Sequence, residues 1–224
     1  MGNEDYILYC NIILTMKHLF FGLIFWAVGL TCIAQNFEGK ITYKVSYTSR
    51  TAGVTSEQFS SLMGDTQEYF IKGNHYKSVF NGKLVLWGLY IPAELKMYTK
   101  MSNSETLLWN DVSLNTDEVL KVELNKSKEI ILGFSCDELI LTCKSGVQKF
   151  YFHASLGVDP ALFVQHKYGN WYNYVSRAKA LHLKSVIETP QFVMESIATD
   201  VKPMKLDDGL FTLPPGVKSM KSPY

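Results

Sequence analysis

The chain has 224 residues, 47% hydrophobic, 19% charged and 13% aromatic, with 15 glycines and 7 prolines. That composition excludes a disordered, collagen-like or coiled-coil protein and suits one generous domain or two small ones. A formal charge of +1 at pH 7 leaves no global basic field for gathering nucleic acid, so no nucleic-acid partner is expected.

Near the N-terminus, Lys17 and His18 precede an unbroken apolar run from Leu19 to Leu30, followed by Thr31-Cys32-Ile33-Ala34. Charged, apolar and small residues in that order predict a secretory signal peptide, over residues 1–34, cleaved after Ala34. Met16 lies directly before the basic pair and reads as the true start, with residues 1–15 an upstream artefact. A retained anchor over Tyr6 to Leu30 would bury Lys17 near its middle at a cost of a few kcal/mol. A lipoprotein reading of Cys32 lacks the usual leucine and small residue before it. Residues 35–224 are then expected as a single near-neutral β-rich domain in the periplasm, at the outer membrane or secreted. Cys10 and Cys32 leave with the signal, and Cys136 and Cys143 stay. An oxidising compartment favours a disulfide between them. Seven strand steps, about 23 Å, oppose it unless the chain turns sharply near Asp137-Glu138. Two buried thiols are the other reading.

Strand signals dominate from Asn36 onward. Ile41, Tyr43, Val45 and Tyr47 alternate with Lys40, Thr42, Lys44 and Ser46, the period of a half-buried strand. Over Thr55 to Met63 the rhythm changes: Ser56 can cap, and Phe59, Leu62 and Met63 share a helical face. Glu68 to Lys72 and His75 to Phe80 flank Gly73-Asn74, a hairpin connection, and Asn81-Gly82 supplies a second such turn. Leu84 to Ile91 is apolar on both faces, which predicts a mid-sheet strand beneath a covering element. Further strands are expected over Leu95 to Lys100, Thr106 to Trp109, Val119 to Leu124, Ile130 to Cys136, Leu139 to Cys143 and Val147 to His153. Asp159-Pro160 is a helix-start pair. Asn170 to Lys179 is ambiguous between helix and loop. Leu181 to Glu188 and Phe192 to Asp200 predict a final hairpin, and Leu206 to Pro215 closes the chain. So many strands with so few helices predict a mainly β fold: a strongly curved antiparallel sheet or incomplete barrel, with a two-sheet sandwich as the alternative.

Motifs for chemistry are sparse. The chain has no glycine-rich phosphate loop and no Gly-x-Ser-x-Gly elbow. His75, His153, His166 and His182 lack the spacing of a zinc motif, and Asp207-Asp208-Gly209 reads as a turn because the other calcium ligands are missing. No catalytic residue, metal or cofactor is expected. If the sheet curls, Tyr43, Val45, Tyr47, Tyr69, Trp87, Trp109, Phe150 and Phe152 could line a cavity for a lipid or acylated ligand, with Trp171 at its mouth. An ordinary β core would use the same residues.

Ile131-Leu132-Gly133-Phe134-Ser135-Cys136 resembles the "I-L-G-aromatic-x-Cys" signature of exported Gram-negative proteins of the GLPGLI type and neighbouring domain-of-unknown-function families. Leu210-Phe211-Thr212-Leu213-Pro214-Pro215-Gly216 resembles their closing "x-Phe-x-Leu-Pro-x-Gly". Ala180-Leu181-His182-Leu183-Lys184 stands where they often carry Pro-Leu-Lys, here with His182 for the proline, and the GLPGLI string itself is missing. The resemblance implies a LolA/LolB-like half-barrel, an unclosed curved sheet with short helices in its opening, and a hydrophobic cavity. With the export signal and the aromatic strands, it leads to the expectation of a non-enzymatic envelope protein that binds a lipid or acyl chain. A structural module would instead show a filled interior, and a hydrolase would show clustered perturbed carboxylates or a Ser–His contact.

Overall fold

A computed structural model describes residues 36–115 and 117–223. The expected signal segment lies outside the described residues. In chain order the elements are β1 (Gly39–Ser49), α1 (Ser56–Met63), β2 (Thr66–Lys72), β3 (His75–Phe80), β4 (Val85–Ile91), β5 (Lys96–Met101) and β6 (Leu107–Asp111). Next come β7 (Val119–Ile131), β8 (Phe134–Cys143), β9 (Val147–Gly157), α2 (Trp171–Ala178), β10 (Ala180–Glu188), β11 (Phe192–Pro203) and β12 (Ser219–Lys221). All twelve strands join one unclosed sheet in the order β12-β6-β5-β4-β3-β2-β1-β11-β10-β9-β8-β7. Every pairing is antiparallel except β12 with β6. The mainly β, antiparallel fold read from the sequence is the fold observed.

Chain connectivity requires the curl. β6 and β7 are consecutive in the chain yet ten strand positions apart in the sheet, about 48 Å if the sheet were flat. The path from Asp111 to Val119 spans at most about 29 Å, so the sheet must bend to bring these ends together. The interior repeats the argument. Trp171 of α2 lies 5.6 Å from the Tyr76 ring on β3, while Tyr174, one turn later, stacks at 4.2 Å on Phe150 of β9. Those strands are five positions apart, so the sheet wraps around the helix.

Local chemistry sets the elements. α1 begins with a capping box in which the Thr55 side chain accepts from the Gln58 N–H and the Gln58 side chain accepts from the Thr55 N–H; the cap is Thr55 rather than Ser56. Phe59 and Met63 pack on the core, whereas Leu62 points to solvent. The connection after β3 is longer than a two-residue hairpin. Residues 81–84 are pinned to the end of α1 by Lys83 N–H to Ser61 O and Leu84 N–H to Leu62 O. A Cβ at Gly82 would lie 2.5 Å from Leu62 O, so only glycine permits this approach. β4 has both faces covered: Tyr90 meets His166 on the inner side, and Leu89 packs with Leu206 and Phe211 on the outer.

The largest departure from the sequence reading is the hairpin β7–β8. The segment Ile130 to Cys136 is two strand ends joined by a tight turn, with Ile131 paired to Phe134. Leu132 (φ 49°) and Gly133 (φ 81°) occupy the turn, the two positive-φ positions that Asn-Gly fills best. β8 then runs without a break to Cys143, so no bend near Asp137-Glu138 brings the cysteines together. Both thiols are free and buried, and the weighed disulfide is not formed.

Leu132 carries a left-handed strain that asparagine tolerates better. Leu132→Asn should therefore raise stability by about 0.5–1 kcal/mol, read as an upward shift of the urea midpoint with an unchanged slope.

Candidate functional site

The inner face of the curled sheet is built by strand alternation. β1 contributes Tyr43, Val45 and Tyr47, β2 contributes Tyr69, β3 contributes Tyr76 and β9 contributes Phe150 and Phe152, all buried. Into this concavity the chain inserts Pro160–Phe163 and then α2. Asp159 starts the first of these by accepting from the Ala161 N–H, as its Asp-Pro pair predicts. α2 buries Tyr174, Val175 and Ala178 against the sheet. The segment left ambiguous by sequence is thus a helix, and its aromatics fold inward. Trp171 packs on Tyr76, Phe163, His166 and Tyr174.

Hydrogen bonds tie part of this interior. Tyr43 Oη donates to His182 O at 2.7 Å, Tyr174 Oη donates to Ala180 O at 2.7 Å, and Tyr76 Oη lies 2.6 Å from His166 Nε2. The buried atoms Tyr69 Oη, Gln148 Oε1, His166 Nδ1, Trp171 Nε1 and His182 Nδ1 have no partner among the described residues. Burial lowers the pKa values of His166 and His182 to about 4, so both rings are neutral at pH 7. It raises the Tyr43, Tyr69 and Tyr174 hydroxyls far beyond the ordinary tyrosine range and pushes Tyr47 up to about 12. Burial likewise raises both thiols, Cys143 to about 11, which makes them poor nucleophiles.

The set expected to line one cavity divides between two faces. Tyr43, Val45, Tyr47, Tyr69, Phe150, Phe152 and Trp171 belong to the interior cluster. Trp87 packs instead with Leu89, Leu206 and Phe211 in the second cluster, and Lys77 Nζ lies 5.4 Å over its ring. Trp109 stands opposite Tyr98, under Lys96 Nζ at 4.7 Å. Tyr98 is in turn opposite Leu89, so Trp87 and Trp109 belong to the convex side. β-bulges and Pro92 between the strands reset the alternation that would have revealed this.

An apolar cleft of 470 Å³ opens where the β7–β8 hairpin approaches the end of β9, β11 and the segment before β1. It is lined by Phe37, Leu132, Phe134, Leu156, Val201 and Pro203, with Ser155, Thr199 and Asp200. Sequence reasoning placed Leu132 and Phe134 within a strand and missed the cleft; a leucine beside the glycine of a tight turn was its available signal.

Ser155 also makes a Ser–His contact, 2.8 Å from Oγ to His153 Nδ1. The same nitrogen accepts the Ser155 N–H at 3.2 Å, a local bond between residues two apart. Asp137, the neighbouring carboxylate, accepts from Lys126 Nζ and from the Ser127 N–H, and among the described residues no carboxylate hydrogen-bonds the His153 ring. Glu138 is buried on β8; although burial opposes ionisation, hydrogen bonds from Tyr151 and Asn125 hold its carboxyl below the usual range. Among the described residues no three His, Cys, Asp or Glu side chains converge to hold a metal ion, and no helix is long and apolar enough to cross a membrane.

No protein-family model matches the chain, and no curated protein matches it. Among solved structures it is similar to a crystal structure of a LolA superfamily protein from Nitrosomonas europaea. The identity is 12% and the TM-score 0.36, with 80% of this chain and 91% of that chain covered.

The two buried histidines make stability pH-dependent. Their folded pKa values lie below the unfolded value of about 6.5, so the unfolded chain binds more protons between these limits. Stability is fully present above about pH 6.5 and declines as pH falls toward 4. His182→Phe and His166→Phe should each flatten that part of a urea-midpoint profile against pH.

Proposed function

We propose that the chain is an exported, non-enzymatic envelope protein that holds a hydrophobic ligand, a lipid or acyl chain. The observation that carries this reading is the 470 Å³ cleft with six apolar lining residues, within the roughly 300–1,000 Å³ range of ligand sites. Burial suffices as mechanism. At about 25 cal/mol per Å², covering some 200 Å² of acyl chain contributes about 5 kcal/mol without any reactive group. Leu132 supports the same reading, because a strained turn keeps a 47% exposed leucine at the edge of the cleft.

A second reading, a structural module with a filled interior, is supported by the stacking of Tyr174 on Phe150 and of Tyr69 on Tyr76. A ligand would reach the wall of Tyr43, Val45, Tyr47, Tyr69, Phe150 and Phe152 only by displacing α2, which carries Trp171. Hydrogen exchange with and without bound lipid separates these placements. Protection centred on Leu132 to Phe134 supports the cleft, protection centred on α2 supports the interior, and no change supports the module.

Native mass spectrometry of protein from its source envelope, followed by delipidation and lipid add-back, tests binding directly. Retained apolar mass is expected, and consistent failure to retain any would defeat the proposal. Leu132→Asn and Phe134→Ser should each weaken lipid retention about tenfold, equivalent to about 1.4 kcal/mol. Because Leu132→Asn should stabilise the fold, its loss of binding cannot be ascribed to unfolding.

A further inference from the structure

β7 ends the sheet. One of its sides pairs with β8, and among the described residues no strand pairs with the other. At thirteen residues it is the longest strand, whereas the opposite end of the sheet is closed by β12, only three residues long. A long edge presents a row of backbone donors and acceptors that proteins ordinarily blunt. Here the half nearest the turn is blunted: the ladder breaks between Asn125 and Glu129, Ser127 has φ 50°, and Lys126 and Lys128 flank it. The other half, where the ladder shifts once between Val119 and Lys121 and is regular from Lys121 to Asn125, carries Leu120, Val122 and Leu124, exposed by 59%, 37% and 50%. An open groove of 640 Å³, lined by Val119 to Val122 and by Asn173 and Arg177 of α2, runs beside it.

We propose that this half of β7 pairs antiparallel with the same segment of a second copy of the chain, across a two-fold axis at Val122. The reading is independent of ligand binding and rests on charge complementarity. Val122 and Leu124 lie opposite the buried Leu141 and Leu139, so they share the sheet's inner face. A one-residue slip would set inner against outer faces, so the axis must pass through a residue and not between two. An axis at Lys121 opposes two lysines, and an axis at Glu123 opposes two glutamates; directly opposed like charges destabilise a pair. The axis at Val122 places Val122 against Val122 of the partner subunit, Leu120 against Leu124 of the partner subunit, and Lys121 against Glu123 of the partner subunit. Lys121 and Glu123 already lie 3.0 Å apart within one chain. The second copy adds an equal pair beside it, giving four alternating charges.

Sedimentation equilibrium over a range of protein concentrations tests the pairing. A monomer–dimer equilibrium is expected. Lys121→Glu or Glu123→Lys alone should weaken it at least tenfold, and the double exchange Lys121→Glu/Glu123→Lys should restore it. Val122→Lys, which adds two charges at the axis, should give a monomer with an unchanged circular dichroism spectrum. A wild-type monomer at every concentration would overturn the proposal. So would a dimer indifferent to the single reversals, or a double exchange no better than either single one.

Discussion

The short covalent path between β6 and β7 governs the molecule. It joins the two far regions of a twelve-stranded sheet, and a flat sheet cannot satisfy it. The curl creates a concave face too large for its own side chains to fill from one layer. Pro160–Phe163 and α2 supply the second layer from within the chain. The path also meets that layer: Lys167 and Tyr168 donate their N–H groups to Val112 O, and Asn115 Nδ2 donates to Asn170 Oδ1. The connection that bends the sheet therefore helps to hold its filling in place.

That filling is unusual for a β core in carrying polar tips. Tyrosines and histidines bring large apolar area but also atoms that need partners. Tyr43 and Tyr174 find backbone carbonyls near β10, while five other buried polar atoms have no partner among the described residues. The histidines bear this burial as neutral rings, which couples the interior to acidity. At the surface of the curl the hairpin tip, the end of β9 and β11 leave an apolar cleft outside this filling.

Much of the sheet was legible because period two and turn chemistry agree. Tyr43 and its alternating neighbours, Gly73-Asn74 and the doubly apolar β4 all read correctly for physical reasons. The β7–β8 hairpin was not legible, since Leu132 hides a turn behind a strand-like side chain and only Gly133 marks it. α2 was ambiguous because Asn170, with φ 62°, offers no side-chain cap; burial of Tyr174, Val175 and Ala178 decides the helix. β12 has three exposed residues and no periodic signal. The cleft and the faces of Trp87 and Trp109 depend on bulges and long-range approach, which neighbouring residues do not encode.

The pairing of β1 with β11 has a kinetic consequence. These strands sit side by side in the middle of the sheet, with Tyr43 opposite Ala198 although 155 residues separate them. The first strand among the described residues thus waits for nearly the last, and the loop closed between them is costly in entropy. Until then the hairpins on either side are two unjoined ribbons with greasy inner surfaces. The chain should consequently fold late and slowly, with those ribbons exposed to neighbouring molecules in the meantime.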